Sequence, residues 1–176
     1  MTEESSFKDV YDRHSRMVYN LCLNYVQNSD DAQELTQDVF VKVHEGFEKF
    51  RGDAALRTWI HRIAINTSLD HLKAQKRQKR SLFSLFRPAG HQAEHVAASA
   101  FDHPGVLLEN REATARIFGH INALPAQQKT ALLMKSMEGL SQNEIAEVMG
   151  VSNKAVESLL SRARQHMRKE LGRSEG

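Results

Sequence analysis

Cysteine is almost missing from this sequence: among 176 residues only Cys22 carries a thiol. One cysteine excludes an internal disulfide framework and a thiolate zinc site. Proline is scarce, with three residues, and the nine glycines leave long stretches uninterrupted. Both residue types break helices, so their scarcity favours a helical chain. No apolar run approaches the roughly 20 residues needed to span a bilayer. The segment Met1-Thr2-Glu3-Glu4-Ser5-Ser6 is acidic and lacks an apolar signal core, which points to a cytoplasmic protein. A Gly-rich phosphate loop of the Walker type is also missing, so nothing suggests nucleotide hydrolysis.

What is present is charge, unevenly placed. The apolar share of 40% and charged share of 26% are ordinary for a globular chain, and the net charge is only +2. Residues 1–50, however, hold five basic and ten acidic side chains, whereas residues 51–80 hold eight basic and two acidic. A phosphate backbone would meet the second stretch and be repelled by the first.

Apolar spacing divides the chain into helices. From about Ser5 to Gln27, Phe7, Val10, Tyr11, Val18, Leu21, Cys22 and Tyr25 recur at three- and four-residue steps, one face of a helix that Asn28 and Ser29 end. A second helix starts near Asp30, with Ala32, Leu35, Val39, Val43, Phe47 and Phe50 as its stripe. Asp31, Glu34, Asp38, Lys42 and Glu45 face elsewhere, and the acids in the first turn suit the positive end of the helix dipole. Gly52 marks a turn. A third helix is expected from Leu56 to Arg80, with Trp59, Ile60, Ile63, Ala64, Thr67 and Leu72 apolar and a basic last section. Residues 81–105 lose periodicity and contain Pro88, Gly90, Pro104 and Gly105, a linker composition. His91 and His95 lie there at helical spacing, but without a cysteine or fixed acidic partner they give no metal site. A helix over Leu107–Ala123, with Ile117, Phe118 and Ile121 inward, and another over Ala126–Met137, opened by Pro125 and ended by Gly139, follow. The expected fold class is all-α: two small domains, residues 1–80 and 106–176, joined by the flexible linker 81–105.

Residues 141–164 carry the most specific pattern. Ser141 and Glu144 have capping-box spacing, Ile145, Ala146 and Val148 supply a short apolar face, and Gly150 suits a left-handed turn. Ser152 then caps a second helix with Val156, Leu159 and Leu160 inward. Two short helices joined in this way make a helix-turn-helix, whose second helix enters the major groove of DNA. Ser152, Asn153, Lys154, Glu157 and Ser158 would face base edges: Asn suits adenine, Lys guanine or phosphate, and Glu cytosine. Arg162, Arg164, Arg168 and Lys169 suit phosphates.

With these residues in view, the chain resembles the extracytoplasmic-function (ECF) sigma factors of bacterial RNA polymerase over almost its whole length. The C-terminal block from Leu124-Pro125 to Arg162-Ala163-Arg164 is similar to their fourth conserved region. The N-terminal block is similar to their second region in Asp31-Ala32-Gln33-Glu34-Leu35-Thr36-Gln37-Asp38-Val39-Phe40, in Phe50-Arg51-Gly52-Asp53, and from Arg57-Thr58-Trp59 to Leu69-Asp70-His71-Leu72-Lys73. The resemblance implies a promoter-selecting initiation factor without catalytic residues, cofactor or metal. It implies that Asp31, Glu34, Gln37 and Asp38 bind a coiled coil of core RNA polymerase. It implies that Arg57, Trp59, Arg62, Asn66, Lys73 and Arg77 take up opened DNA of the −10 element, and that the helix-turn-helix reads the −35 element. It also implies an anti-sigma partner. Arg62, Asn66 and Asp70 are four apart and share a face, whereas Trp59 fits the core better than a base-stacking role. Glu157 departs from the basic residue many members carry there. Two other readings compete: a stand-alone helix-turn-helix regulator, which leaves the first eighty residues without a task, and a nuclease using His44-Glu45 or Asp30-Asp31, which has no second set of ligands.

Overall fold

The computed structural model describes residues 6–50, 55–85 and 110–174, and these form seven α-helices and no strand. They are α1 (Phe7–Val26), α2 (Ser29–Phe47), α3 (Leu56–Leu85), α4 (Arg111–Ala123), α5 (Ala126–Ser136), α6 (Gln142–Met149) and α7 (Asn153–Ser174). The first three pack on one another, and α4, α5 and α6 pack around α7.

Local chemistry sets the helix ends. Ser6 and Asp9 form a capping box at the start of α1. Asn28 belongs to the next element: its side chain accepts the Asp31 N–H and opens α2, while Gln27 in the left-handed conformation closes α1. The expected end of α1 at Asn28-Ser29 is therefore one turn residue late. The third helix runs on to Leu85, past the expected stop at Arg80, because no glycine or proline interrupts the chain before Pro88. The rest of the expected linker, residues 86–105, lies outside the described residues, as does the Gly52 turn. Pro125 is the residue before the first turn of α5, with an extended ψ of 145°, rather than part of it.

The core of the first domain is made by Val10, Val18, Leu21, Cys22 and Tyr25 of α1, Ala32, Leu35, Val39 and Val43 of α2, and Ile60 and Ala64 of α3. In the second domain Phe118, Ile121, Leu133, Met134, Ile145, Val156, Leu160 and Ala163 are buried. Two expected core positions are corrected. Tyr11 is 44% exposed, its ring lying against Phe40 at 4.7 Å between centroids, and Ile117 is 39% exposed. Each sits at the margin of its stripe, where the helix face turns toward solvent.

Leu35 is 2% exposed at the centre of α2. Leu35→Ala is expected to lower unfolding stability by about 3 kcal/mol, as truncation leaves an unfilled cavity. Urea denaturation followed by circular dichroism measures this, and Gln33→Ala on the exposed face is the neutral control.

Candidate nucleic-acid interface

The helix-turn-helix is built as its residues dictate. Ser141 Oγ accepts the Glu144 N–H at 3.2 Å, and the Glu144 carboxylate accepts the Ser141 N–H at 2.8 Å. These bonds hold the Glu144 carboxyl below its ordinary range. Gly150, with φ 65°, makes the left-handed turn that a side chain would strain. Ser152 then accepts the Ala155 N–H at 3.2 Å to open α7. Ala146 is buried where α6 meets α7, and its carbonyl accepts the Val151 N–H.

On α7, Ser152, Asn153, Lys154, Glu157, Ser158, Arg162 and Arg164 are all exposed, while Val156, Leu160 and Ala163 point inward. The structure thus gathers the expected base and phosphate contacts on the outer side of one helix. It adds one residue that spacing did not single out. Asn143 of α6 accepts a 2.6 Å hydrogen bond from Asn153 Nδ2, which fixes the plane of the Asn153 amide and leaves its carbonyl oxygen outward. Ten residues separate the two, so only the folded turn brings them together.

On α3, Arg62, Asn66 and Asp70 are exposed along one face, with Arg57, Lys73, Lys76 and Arg77 also exposed. Lys73 pairs with Asp70 at 3.2 Å. Trp59 is half-buried: its ring lies 5.0 Å from that of Phe50 and sits so close to Gly46 that a Cβ there would approach the ring to 2.8 Å. The ring is a packing element between α2 and α3.

On α2, Glu34, Gln37 and Asp38 are exposed together. Asp31 is not presented with them. Its carboxylate is half-buried against α3, accepting from Gln75 at 3.1 Å and lying 3.6 Å from His71. Val41, 57% exposed and three residues beyond Asp38, adds an apolar spot to this acidic face.

The two domains meet at a polar seam. Arg62 Nε donates to the Val148 carbonyl at 3.1 Å, and its Nη2 donates to the Glu147 carbonyl, so the guanidinium caps the negative end of α6. Tyr25 OH donates to Thr130 at 2.7 Å. Lys129, 4% exposed, donates to the Tyr25 carbonyl at 3.2 Å and to Asn122 Oδ1 at 2.6 Å. Asn122 in turn donates to Gln27 at 2.7 Å. Burial, with the nearby Lys76 charge, pushes the Lys129 amine down to about 8. Beside this seam Arg62, Asn66, Thr130 and Gly150 line an open cleft of about 390 Å³. Among the described residues no group of three His, Cys, Asp or Glu side chains could hold a metal ion.

An acidic protein-facing helix, a basic helix, and a helix-turn-helix in this order define a transcription factor of the sigma type. The Sigma-70 region 2 model matches residues 10–78 and the Sigma-70 region 4 model residues 120–167. The ECF RNA polymerase sigma-E factor of Haemophilus influenzae is 31% identical over 93% of this chain and 86% of its own. The Escherichia coli K12 sigma-E factor is 30% identical over 93% of this chain and 85% of its own. Among solved structures, CnrH in complex with the cytosolic domain of CnrY is similar in fold, with TM-score 0.66 and 23% identity over 97% of this chain and 90% of that one. The sigma factor RpoE of Bartonella quintana, solved with the anti-sigma factor NepR, gives TM-score 0.65 and 20% identity over 96% and 98%. The chain belongs to the ECF sigma factors of RNA polymerase, within the sigma-70 group. It binds core RNA polymerase and directs initiation at promoters. A stand-alone regulator would leave the region 2 match unused and is not favoured.

Cys22 has no exposed surface, and burial pushes its thiol up to about 11. In the folded protein it is therefore expected to resist iodoacetamide at pH 8, and to be alkylated within minutes in guanidinium chloride. Mass spectrometry of timed samples measures both; rapid native alkylation would contradict its place in the core.

Proposed function

We propose that residues 1–80 act as the polymerase-binding and −10 domain, residues 106–176 as the −35 domain, and 81–105 as the linker between them. The observation that carries this reading is the segregation of exposed charge. Glu34, Gln37 and Asp38 share one outward face of α2, while cations occupy the outer faces of α3 and α7. The acidic face, with Val41 at its edge, suits a basic helical surface of core polymerase, and Asp31 contributes by fixing α2 to α3. Arg57, Arg62, Asn66, Lys73 and Arg77 take the opened −10 strand: the amide reads an unstacked base and the cations meet phosphates. Trp59 supports this surface from below. Ser152, Asn153, Lys154, Glu157 and Ser158 read the −35 major groove, and Arg162 and Arg164 anchor its phosphates.

The protein works without catalytic chemistry, and promoter opening draws on binding free energy alone. It acts in the cytoplasm, where polymerase and promoter DNA are. Among the described residues no helix is long and apolar enough to cross a membrane. An anti-sigma factor, the kind of partner named in the Bartonella quintana structure, holds it until a stress signal arrives.

Reconstituted transcription tests the assignment. Core polymerase with the wild-type protein is expected to start at discrete sites on a genomic library. Asp38→Lys should weaken polymerase capture about tenfold or more while duplex binding persists. Asn66→Ala should reduce open complexes, and Lys154→Ala/Arg162→Ala should reduce closed-complex affinity. Unaltered polymerase capture by Asp38→Lys together with Glu34→Lys would overturn the α2 assignment.

A further inference from the structure

The polar seam poses a geometric conflict with the proposed function. The element names place the −10 and −35 centres about 25 base pairs apart, or ~85 Å along straight B-DNA at ~3.4 Å per pair. In the structure, the α3 surface assigned to the −10 strand touches the helix-turn-helix assigned to the −35 element. The Arg62 side chain reaches the last turn of α6 at hydrogen-bond distance. Two of the donors that Arg62 would offer a phosphate are already engaged by the Val148 and Glu147 carbonyls. The two surfaces cannot occupy one promoter in this arrangement.

Nor is the seam a shared apolar interface of the kind that would lock permanently. Its contacts are the Arg62 cap on α6, the Tyr25–Thr130 hydroxyl pair, and the chain from the Tyr25 carbonyl through Lys129 and Asn122 to Gln27. The Lys129 amine lies 5.2 Å over the Tyr25 ring and has no carboxylate among its printed partners. A desolvated ammonium without a counter-charge weakens the interface that buries it. Such a seam closes specifically but opens at modest cost.

We propose that the free protein rests in a closed state held by this seam, an autoinhibitory contact that core polymerase must part before both promoter elements can be engaged. The inference builds on the assignment of α3 and α7 to the two elements.

Closure has a pH signature. The groups acting on Lys129 are the Tyr25 phenol from α1 and the Lys76 ammonium from α3. Burial drives the phenol upward, so it keeps its proton through alkaline pH. His14 and His61, both pushed down by burial, stay neutral above pH 7.5. Lys129 releases its proton near 8 when closed and near the ordinary 10.5 when exposed. The open state therefore binds more protons between these values, and closure strengthens as pH rises, approaching ~10-fold per pH unit. Below about 8 both states are protonated and the dependence vanishes.

Small-angle scattering of the full chain, alone, reads the state directly. The wild type is expected near the ~16 Å radius of gyration of a compact chain of this length. Asn122→Ala removes the bonds to both Lys129 and Gln27 at an exposed position, and should expand the protein by several ångströms at pH 7.5 with unchanged helix content. Raising the pH to 9.5 should contract the variant again. A wild type already extended at both pH values, or an Asn122→Ala protein with the wild-type radius throughout, overturns the proposal. Initiation assays on core polymerase separate the two readings. An extended protein that initiates normally refutes closure alone, and a closed protein that never initiates refutes the promoter assignment.

Discussion

Burial of the Ala32, Leu35, Val39 and Val43 stripe against α1 and α3 orders the rest of the first domain. Four apolar side chains at helical spacing fix which side of α2 turns inward, and by exclusion which turns outward. Glu34, Gln37 and Asp38 are exposed because their neighbours are not. The same constraint positions α3: Ile60 and Ala64 go into the core, so Arg62 and Asn66 must emerge on another face. Burial on one side of each helix is what presents its charge on the other.

Much of this was legible beforehand because helical periodicity and capping are local. The stripes of α1 and α2, the capping box at Ser141 and Glu144, the left-handed Gly150 and the Ser152 cap follow from residues within a few positions of one another. Family resemblance was equally legible, since both conserved blocks stand in order. Errors arose where local pattern was silent. Tyr11 and Ile117 sit at the edges of stripes, where a residue faces solvent or core according to what packs opposite. Asp31 looked like any other outward acid until α3 brought Gln75 and His71 to it across 44 and 40 positions.

The seam was wholly illegible. Tyr25 reads as an apolar stripe residue and Lys129 as a solvated cation, yet across 105 and 104 positions they become partners in one buried polar group. Nothing in composition announces such pairs; they depend on how two finished domains meet. Asn143 belongs to the same class on a smaller scale, since its link to Asn153 exists only once the turn between α6 and α7 has formed.

Gln27 joins two of these levels. It is the one residue other than glycine with positive φ among the described residues, at 51°, a conformation costing of order 1 kcal/mol outside glycine. Glycine would relieve that cost but bring no carboxamide. Here the amide donates to the Asn24 carbonyl at 2.7 Å and accepts from Asn122. The residue that sets the corner between α1 and α2 is thereby also a fastener for α4. The angle at which the chain turns in one domain and the placement of the other are mechanically geared through a single side chain, so neither can drift in evolution without adjusting its counterpart.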